Sequence, residues 1–573
     1  MSISASVAAK LKQHLSFLYG DDCADIYSRL EELIAGYQPA LSKDQSAHQQ
    51  DPLWDESTVV LITYGDQIQD ENVPALRSLR NFLIEHQLDQ SMNTVHLLPI
   101  FPYSSDDGFS VIDYREIRTD LGDWQDVKHL SQKFALAIDF VLNHCSRGSS
   151  WFAGYLNGEG PFESFFIEVD PELDLSMVTR PRTTPLLTPV QTTRGEQHVW
   201  STFSSDQMDL NFASPELLLE MLDIFLFYIA NGAKIIRLDA IGFLWKQIGT
   251  TCMHLPQTHE VVKLMRSVID QIAPDTILLT ETNVPHQENI SYFGQGDEAR
   301  AVYQFSLAPL LLDAYLREDA SLLQTWLSDL EYPDEGMTFF NFTASHDGIG
   351  MRPLEGIVPP DRIDALANRV LELGGKVSWR ENPDGSQSPY ELNITYFSAL
   401  RDTEEKSADL HVRKFLASQA IMLALRGIPG VYFHSLVGTE NDQAGVCRTG
   451  HNRSINRQKF SSAELRQRLA SNDSKQRAVF EGYQKMLGIR CRQKAFHPEG
   501  AQAMLNVADP RVLGFQRTSP DGQQRVVVLA NFSQQNVMIP LPSGLGERLD
   551  LLSDERTNGS TYQLDAYRVA WLV

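Results

Sequence analysis

Cysteine, basic residues and long apolar runs are all scarce in this sequence. Only five of its 573 residues are cysteine, namely Cys23, Cys145, Cys252, Cys447 and Cys491, and no two of them form a CxxC pair. Cysteines that are widely spaced and odd in number argue against a disulfide framework and against a zinc site. No stretch approaches about 18 consecutive apolar residues, so no membrane-spanning helix is expected.

The charge of the chain is one-sided, with 74 acidic against 49 basic residues and a formal net charge of −25. Such a surface repels nucleic acid and anionic lipid, so neither is expected as a partner. The opening stretch MSISASVAAKLKQHLSFLYG lacks the long apolar run of a signal peptide, which predicts a cytoplasmic protein. The sequence sets no oligomeric state, and a homodimer is one arrangement compatible with it.

Apolar runs alternate with helical segments from about residue 57 onward. Near-continuous apolar strands are typical of a fully buried parallel sheet. Eight such strands separated by helices predict an α/β fold, a closed (β/α)8 TIM barrel rather than an open sheet. The predicted strands are 59–65, 94–100, 135–143, 234–240, 276–283, 301–306, 338–347 and 429–436, with helices such as 215–232 and 259–273 between them.

Segments that interrupt or flank this alternation predict the domain organisation. Residues 1–56 form an N-terminal arm of two short amphipathic helices and a polar linker, LSKDQSAHQQDP. The barrel occupies 57–144, 209–347 and 396–496, with an inserted domain at 145–208 and a second insertion with Gly/Pro-rich turns at 348–395. Both insertions follow strand carboxyl ends, where barrels build their active sites. Short β-like runs in 497–573 predict a C-terminal antiparallel β-sandwich.

Charged side chains follow several of the predicted barrel strands. Strand three ends in DFVLNH, strand four in RLDA, strand five in TETN and strand seven in SHD. One such residue alone would be an ordinary ion pair or helix cap. A set of them at one end of a barrel predicts a shared pocket, because apolar runs do not tolerate unpaired charges.

Three carboxyl groups in this set have the chemistry that cleaves an acetal. Retaining cleavage needs two carboxyls about 5–5.5 Å apart, one as nucleophile and one as acid/base. Arg237 lies two residues before Asp239, on the same side of a strand, and is expected to keep Asp239 ionised. Glu281 follows the apolar run ILLT, which is expected to raise its pKa. Asp347 is expected to hydrogen-bond sugar hydroxyls.

The motifs at these strand ends resemble those of a known enzyme family. DFVLNH, IRLDAIG, LTETN and ASHDGIG resemble the four signature regions of the α-amylase family, and residues 58–495 resemble its sucrose phosphorylase subfamily. The resemblance implies that Asp239 is the nucleophile, Glu281 the acid/base and Asp347 the transition-state stabiliser. It also implies that the donor glucose contacts Arg237, His144 and His346.

Further stretches extend the resemblance to the subfamily. IFPYSSDDGFSVIDY implies a glucose clamp of Asp106 and Phe109, with Asp107 as an alternative acid. TRPRTTPLLTPVQT implies a mobile loop whose Arg182, or the neighbouring Arg180, meets phosphate, with His346 nearby. SSDQMDL and GHNRSINR imply that Gln207 and Arg453 line the glucose site.

The sequence also departs from the sucrose phosphorylase pattern. Phe243 replaces a usual tyrosine, and Tyr390-Glu391 replaces a Tyr-Gln pair that contacts the acceptor and phosphate. GTTCMHLPQTH, TRPRTTPLLTP and NPDGSQSPYELN are more similar to bacterial glucosylglycerate phosphorylases, which implies a glucoside and inorganic phosphate as substrates. Sucrose, glucosylglycerol or sucrose 6-phosphate phosphorolysis, plain hydrolysis and a catalytically silent binding protein remain alternatives. No metal and no cofactor is expected.

Overall fold

The computed structural model describes residues 3–48, 52–381, 386–402, 407–541, 547–557 and 560–573. Eight parallel strands form a closed barrel, which confirms the predicted fold class, and β1 pairs with both β2 and β8 to close it. The barrel strands are β1 (Val60–Thr63), β2 (Thr94–Leu97), β3 (Ala135–Val141), β4 (Ala233–Asp239), β5 (Ile277–Thr280), β6 (Ala301–Gln304), β7 (Thr338–Phe342) and β8 (Ile428–Tyr432).

Helices surround this barrel, and others lie in the N-terminal arm and in the two insertions. Within the described residues they are α1 (Ala5–Tyr19), α2 (Cys23–His48), α3 (Ala75–Glu85), α4 (Trp124–Ser131), α5 (Ser150–Asn157), α6 (Pro215–Ala230), α7 (Pro256–Ile272), α8 (His286–Ile290), α9 (Leu307–Arg317), α10 (Ser321–Asp329), α11 (Pro360–Glu372), α12 (Tyr396–Ala399), α13 (Ala408–Ala424), α14 (Phe433–Leu436), α15 (Gln443–Thr449), α16 (Ser462–Ala470) and α17 (Lys475–Arg490). In the part of the chain that the structure describes, no helix combines the length and apolarity that a bilayer crossing requires.

Several predicted strands extend too far at their carboxyl ends. The predicted strand 429–436 ends at Tyr432, and Phe433–Leu436 forms α14 instead. The predicted strand 338–347 ends at Phe342. In both cases the first residues beyond the strand, Thr343-Ala344 and Phe433, are small or apolar, and a short apolar run does not distinguish a buried strand from a buried turn. This difference matters because the residues just beyond the strands form the pocket.

The N-terminal arm packs against the barrel helices α6 and α7. Leu11 and Leu15 of α1 are fully buried, and the His14 imidazole lies 2.7 Å from Glu260. The Tyr37 hydroxyl of α2 donates to Asp223 at 2.8 Å. The predicted linker at 41–52 is wrong for 41–48, which continue α2, while residues 49–51 lie outside the described part. Its polar composition suits an exposed helix as well as a linker.

The two insertions add small sheets above the barrel. In the first, Leu187–Thr192 and Gly195–Trp200 form a hairpin, and His144–Ser146 pairs with Gln207–Asp209. In the second, Ile349–Gly350 pairs with Gln387–Asn393, which also pairs with Lys376–Glu381. Residues 382–385, in the predicted Gly/Pro-rich turn, lie outside the described residues. Both insertions stand over the carboxyl ends of the strands.

The C-terminal segment is antiparallel β structure, as predicted. Ala501–Met504, Val512–Thr518, Arg525–Asn531 and Val569–Leu572 form a four-stranded sheet, and Val537–Pro540 pairs with Thr561–Leu564. Apolar residues from both sheets share a separate small core that includes Val527, Ile539 and Leu564. This core lies apart from the residues of the predicted site.

Candidate active site

One pocket opens at the carboxyl ends of the barrel strands. Its wall is formed by Asp106, Phe109, His144, Arg182, Phe203, Gln207, Asp239, Ala240, Gly242, Phe243, Met253, Glu281, Thr282, Asn283, Val284, Phe305, His346, Asp347, Gly348, Arg352, Tyr390, Glu391 and Arg453. Twelve of the thirteen residues predicted from the sequence are in this wall. The thirteenth, Arg237, is buried directly behind it.

Arg237 holds the two carboxylates that the sequence assigned to the chemical step. Its Nη1 lies 2.7 Å from Asp239 Oδ1, and its Nη2 lies 3.8 Å from Glu281 Oε2. The same Nη1 also bonds Asp139, whose other oxygen is 2.8 Å from His96 Nε2. Asp239 and Glu281 therefore approach one guanidinium from two adjacent strands and face the same point of the pocket.

A strained turn fixes the second carboxylate. Ala240 follows the last residue of β4 and has a φ of 48°, in the left-handed region that residues with a Cβ seldom adopt. This conformation directs the Ala240 N–H toward Glu281 Oε2, to which it donates at 3.0 Å. Backbone strain of this kind persists where the surrounding structure imposes it, and it concentrates at functional sites.

Burial shifts the proton affinity of both carboxylates upward. It raises the pKa of Asp239 well above its usual value, and Arg237 offsets this only in part. Burial also raises the pKa of Glu281, again against Arg237. The expected rise for Glu281 is confirmed, whereas the expectation that Arg237 offsets burial enough to favour an ionised Asp239 is wrong. Arg237 divides its charge with Asp139, so its effect does not outweigh desolvation.

This shift predicts that Glu281→Gln stabilises the fold. The folded state favours protonated Glu281, so its stabilising contribution is complete below the unfolded pKa of about 4.3 and is lost as pH rises through the raised folded pKa. Glutamine mimics the protonated form and should raise the free energy of unfolding by roughly 1 kcal/mol at neutral pH. Thermal melts at pH 5 and pH 7.5 should show a larger gain at pH 7.5.

The exposed Glu172 supplies a control for this measurement. Its side chain is away from the pocket wall, and Glu172→Gln should change the free energy of unfolding by less than about 0.5 kcal/mol. A Glu281→Gln variant that melts at or below the wild-type temperature at both pH values would contradict the account of its burial.

Arg453 binds a second group of acids on the other side of the pocket. Its Nη1 lies 2.7 Å from Asp347 Oδ1, and its Nε and Nη2 donate to Glu391 at 3.0 and 2.6 Å. Burial alone would raise the pKa values of Asp347 and Glu391. Nearby arginines, above all Arg453, hold both pKa values below their usual range. Glu391 is thus an ionised partner of Arg453 rather than a free wall residue.

The turn at residues 106–108 resolves which aspartate faces the pocket. Asp106 and Asp107 have φ values of 51° and 49°, and a Cβ on Gly108 would lie 2.9 Å from Pro99. Asp106 lies in the pocket wall, 4.0 Å from Arg453 Nη1. Asp107 points away and accepts from Arg457 at 2.8 Å. The structure therefore brings Asp106, not Asp107, to the predicted clamp position.

Aromatic and imidazole rings form the floor beside these charges. Phe109 stacks on His346, with ring centroids 4.6 Å apart and planes 6° from parallel. His144 Nε2 lies 2.8 Å from the Phe109 carbonyl oxygen, and Gln207 donates to the same oxygen at 3.2 Å. Burial, Arg237 and Arg457 lower the pKa of His346 well below its usual value. His346 is consequently neutral and does not supply a cation for phosphate, contrary to the sequence-based expectation.

The loop of the first insertion brings Arg182, rather than Arg180, to the pocket. Arg182 lies in the wall with its guanidinium 5.7 Å from the centre of the Tyr390 ring. Arg180 is exposed and donates to the Thr184 carbonyl oxygen at 2.6 Å, within its own loop. Burial raises the pKa of Tyr390, so the ring beside Arg182 stays a neutral phenol. Arg182 and Tyr390 therefore lie together in the pocket wall.

Several wall residues were not found from the sequence. Phe203, Met253 and Phe305 are apolar residues whose spacing carries no chemical signal. Arg352 lies five residues beyond Asp347, at the start of the second insertion. Its position just after a strand carboxyl end was the one available signal. Arg457, which holds Asp107 and donates to the His346 carbonyl oxygen at 2.9 Å, was also missed.

Near the barrel top, an ammonium group sits among oxygen atoms. Lys246 Nζ lies 2.7 Å from Asn143 Oδ1 and 2.6 Å from Asp209 Oδ2, and it donates to the Phe243 carbonyl oxygen at 2.5 Å. Across the described ranges, no group of three or more His, Cys, Asp and Glu side chains is arranged to hold a metal ion. The oxygens of Asn143 and Asp209 are occupied by this lysine.

A barrel with paired carboxylates at its strand ends defines a class of carbohydrate-processing enzymes, and comparisons with known proteins agree. Residues 88–339 match the family described as alpha amylase, catalytic domain. The chain is 46% identical over 98% of both chains to a glucosylglycerate phosphorylase of Spirochaeta thermophila, and 44% identical over the full length of both to one of Allomeiothermus silvanus. The chain belongs to the α-amylase family.

More distant relatives share the same architecture. A sucrose phosphorylase of Streptococcus mutans is 27% identical over 81% of this chain and 93% of its own. The crystal structure of sucrose 6F-phosphate phosphorylase from Thermoanaerobacter thermosaccharolyticum superposes with a TM-score of 0.73 and 24% identity, covering 89% of this chain and 98% of that one. This last similarity concerns the fold alone.

Proposed function

We propose that the chain is a retaining glycoside phosphorylase that reversibly converts 2-O-α-glucosylglycerate and phosphate to α-glucose 1-phosphate and glycerate. The observation that carries the proposal is one pocket in which Asp239 and Glu281 share Arg237 while two further arginines, Arg182 and Arg352, line the same wall. Full-length identity of 44–46% to two glucosylglycerate phosphorylases supports the choice of substrate.

In the first half-reaction, Asp239 attacks the anomeric carbon from one face. Glu281 gives its proton to the glycosidic oxygen, the bond to glycerate breaks, and a β-glucosyl ester of Asp239 forms. Arg237 is 2.7 Å from Asp239 but 3.8 Å from Glu281, so the guanidinium stabilises negative charge on Asp239 more than on Glu281. The step requires an ionised Asp239 and a protonated Glu281, and this contact offsets in part the burial that raises the pKa of Asp239.

In the second half-reaction, phosphate replaces glycerate and attacks the same carbon. The ester bond to Asp239 breaks, Glu281 takes the proton that phosphate gives up, and two inversions leave the α configuration. Asp347, ionised and held by Arg453 at 2.7 Å, accepts hydrogen bonds from glucose hydroxyls as the ring distorts. Asp106, His144, Gln207 and Phe109 complete the glucose side, with Glu391 positioning Arg453.

Phosphate must outcompete water at this carbon, and Arg182 attracts it. Arg182→Ala should therefore raise the ratio of hydrolysis to phosphorolysis by about tenfold or more, because one charge-assisted contact to the anion contributes roughly 1.5–3 kcal/mol. Free glucose and glucose 1-phosphate released from glucosylglycerate give the ratio directly. Arg180→Ala, on the same loop but facing Thr184, is the matched control and should leave it unchanged. Equal ratios in both variants would contradict the role of Arg182.

An acceptor screen in the synthetic direction tests the reaction as a whole. Glucose 1-phosphate is supplied with glycerate, glycerol, fructose or fructose 6-phosphate, and phosphate release is measured. Glycerate should be used with the highest kcat/KM. Preference for fructose, glycerol or fructose 6-phosphate would replace the substrate with that of a sucrose, glucosylglycerol or sucrose 6-phosphate phosphorylase. Release of glucose alone would indicate a hydrolase, and no turnover would indicate a binding protein.

A further inference from the structure

Arg182 and Arg352 differ from the other arginines of the site because, within the described residues, neither has a carboxylate at hydrogen-bonding distance. Arg237 and Arg453 each lie within 2.7 Å of an acid. Arg182 faces the ring of Tyr390, and Arg352 approaches one carboxylate, Glu355, at 3.9 Å. Glu355 already accepts from Arg380 at 2.6 Å. A half-buried cation without a close counter-ion is costly, and it favours an anionic ligand.

Arg352 stands on a fixed part of the second insertion. The preceding residues Ile349–Gly350 pair with the strand that carries Glu391, and Met351 donates its N–H to the Tyr390 carbonyl oxygen at 3.0 Å. A Cβ on Gly350 would lie 2.3 Å from Asn283 Oδ1, so this segment is packed tightly against the end of β5. The Arg352 side chain is 15% exposed, and within the described chain its buried Nε has no hydrogen-bond partner.

Arg182 and Arg352 have different neighbours within the one pocket. Arg182 is among the groups that, after Arg453, hold the pKa values of Asp347 and Glu391 low against burial. Burial lowers the pKa of His254 to about 4, and His259 and Arg352 act in the same direction. Arg182 therefore lies near the carboxylates of the glucose side and Arg352 near His254, while both oppose the burial that raises the pKa of Tyr390.

The two anionic substrates follow one another in the pocket. Glycerate leaves with its carboxylate one carbon from the oxygen that Glu281 protonates, and phosphate then enters. A guanidinium recognises either anion in a bidentate manner. A single arginine would have to serve both anions by moving between half-reactions. Two arginines on separate elements, one on a loop and one beside a paired strand, need no such exchange.

We infer that Arg352 binds the carboxylate of the acceptor and so selects glycerate over uncharged polyols, leaving Arg182 to phosphate. This inference rests on the proposed function and adds the residue that determines acceptor specificity. Arg352→Gln keeps the length and polarity of the side chain but removes its charge. Arg352→Lys keeps the charge but loses the bidentate geometry.

The test compares acceptors that differ in charge alone. With glucose 1-phosphate as donor, Arg352→Gln should raise the KM for glycerate by about 10–100-fold, the loss expected for one charge-assisted contact. Its KM for glyceramide, the neutral amide of the same acid, should stay near the wild-type value. Arg352→Lys should recover part of the affinity for glycerate. With α-glucosyl fluoride, a donor without a carboxylate, the variant's KM for phosphate should change by less than about threefold.

Controls separate this inference from loss of structure and from the proposed function. Arg448→Gln, at an exposed position outside the pocket wall, should leave the KM values for glycerate, glyceramide and phosphate unchanged. The inference is overturned, while the proposed function stands, if Arg352→Gln keeps the wild-type KM for glycerate. The same holds if its KM for glyceramide rises equally, or if its KM for phosphate rises instead. If the wild type does not use glycerate, both fall together.

Discussion

Replacing Asp239 with asparagine should lower kcat for phosphorolysis of glucosylglycerate by at least roughly 10⁴-fold, the scale seen when one member of a covalent catalytic set is removed. Asparagine keeps the size of the side chain and its contact with Arg237. It cannot form the glucosyl ester, so no substrate reaches the second half-reaction. The loss should appear in kcat with every donor, including α-glucosyl fluoride.

A binding control distinguishes lost chemistry from a lost pocket. Glucosylglycerate should bind the Asp239→Asn variant within about tenfold of its affinity for the wild type, since the contacts to Asp106, Arg453 and Asp347 remain. Calorimetric titration measures this affinity, and thermal melting verifies the fold. If kcat falls by less than about 100-fold in a variant that binds normally, another residue carries the nucleophilic role.

Replacing Glu281 with glutamine should slow the enzyme in a manner that depends on the leaving group. Without a proton from Glu281, the glycerate oxygen is a poor leaving group. The rate of glycerate release should therefore fall by about 10²–10⁴-fold, the usual contribution of general acid catalysis. Fluoride needs no proton, so glucosyl transfer from α-glucosyl fluoride to Asp239 should proceed near the wild-type rate. The second step still lacks its base, and the ester should accumulate.

Azide provides the control for this second prediction. It is an anionic nucleophile that needs no base, so it should release glucose from the Glu281→Gln enzyme as α-glucosyl azide. Turnover of α-glucosyl fluoride should then rise with azide concentration in this variant and not in Asp239→Asn. A Glu281→Gln variant that, with azide present, loses activity toward α-glucosyl fluoride and glucosylglycerate to the same extent would show that Glu281 acts on something other than the leaving group.

The barrel and the convergence of the charged residues were predictable for a simple physical reason. Residues buried on both faces of a parallel strand must be apolar, so the strands stand out, and charges just beyond them must meet at one rim. The strand limits were less predictable, because Phe433, the first residue beyond β8, is as apolar as the strand before it. The continuation of α2 through 41–48 was missed because its composition also suits a loop.

The pKa shifts within the site were hard to predict, because they depend on contacts between residues that are far apart in sequence. Arg237 and Asp239 are two residues apart, which predicted their ion pair, but the competing bond to Asp139 comes from another strand 98 residues away. Glu391 was expected to face the acceptor, and its two hydrogen bonds from Arg453 could not be inferred from sequence spacing. Arg352 carried no motif, and its long contact with Glu355, at 3.9 Å, is visible only when its neighbours are known.

A covalent adduct on Asp239 is the most direct test of this account. Glu281→Gln enzyme is mixed with α-glucosyl fluoride, the reaction is stopped with acid, and intact mass and peptide fragmentation are measured. The account predicts a mass gain of one anhydroglucose unit on the peptide that contains Asp239, removed when azide is added before quenching. An adduct on a different residue, or full turnover through α-glucose 1-phosphate with no adduct at any time, would contradict it.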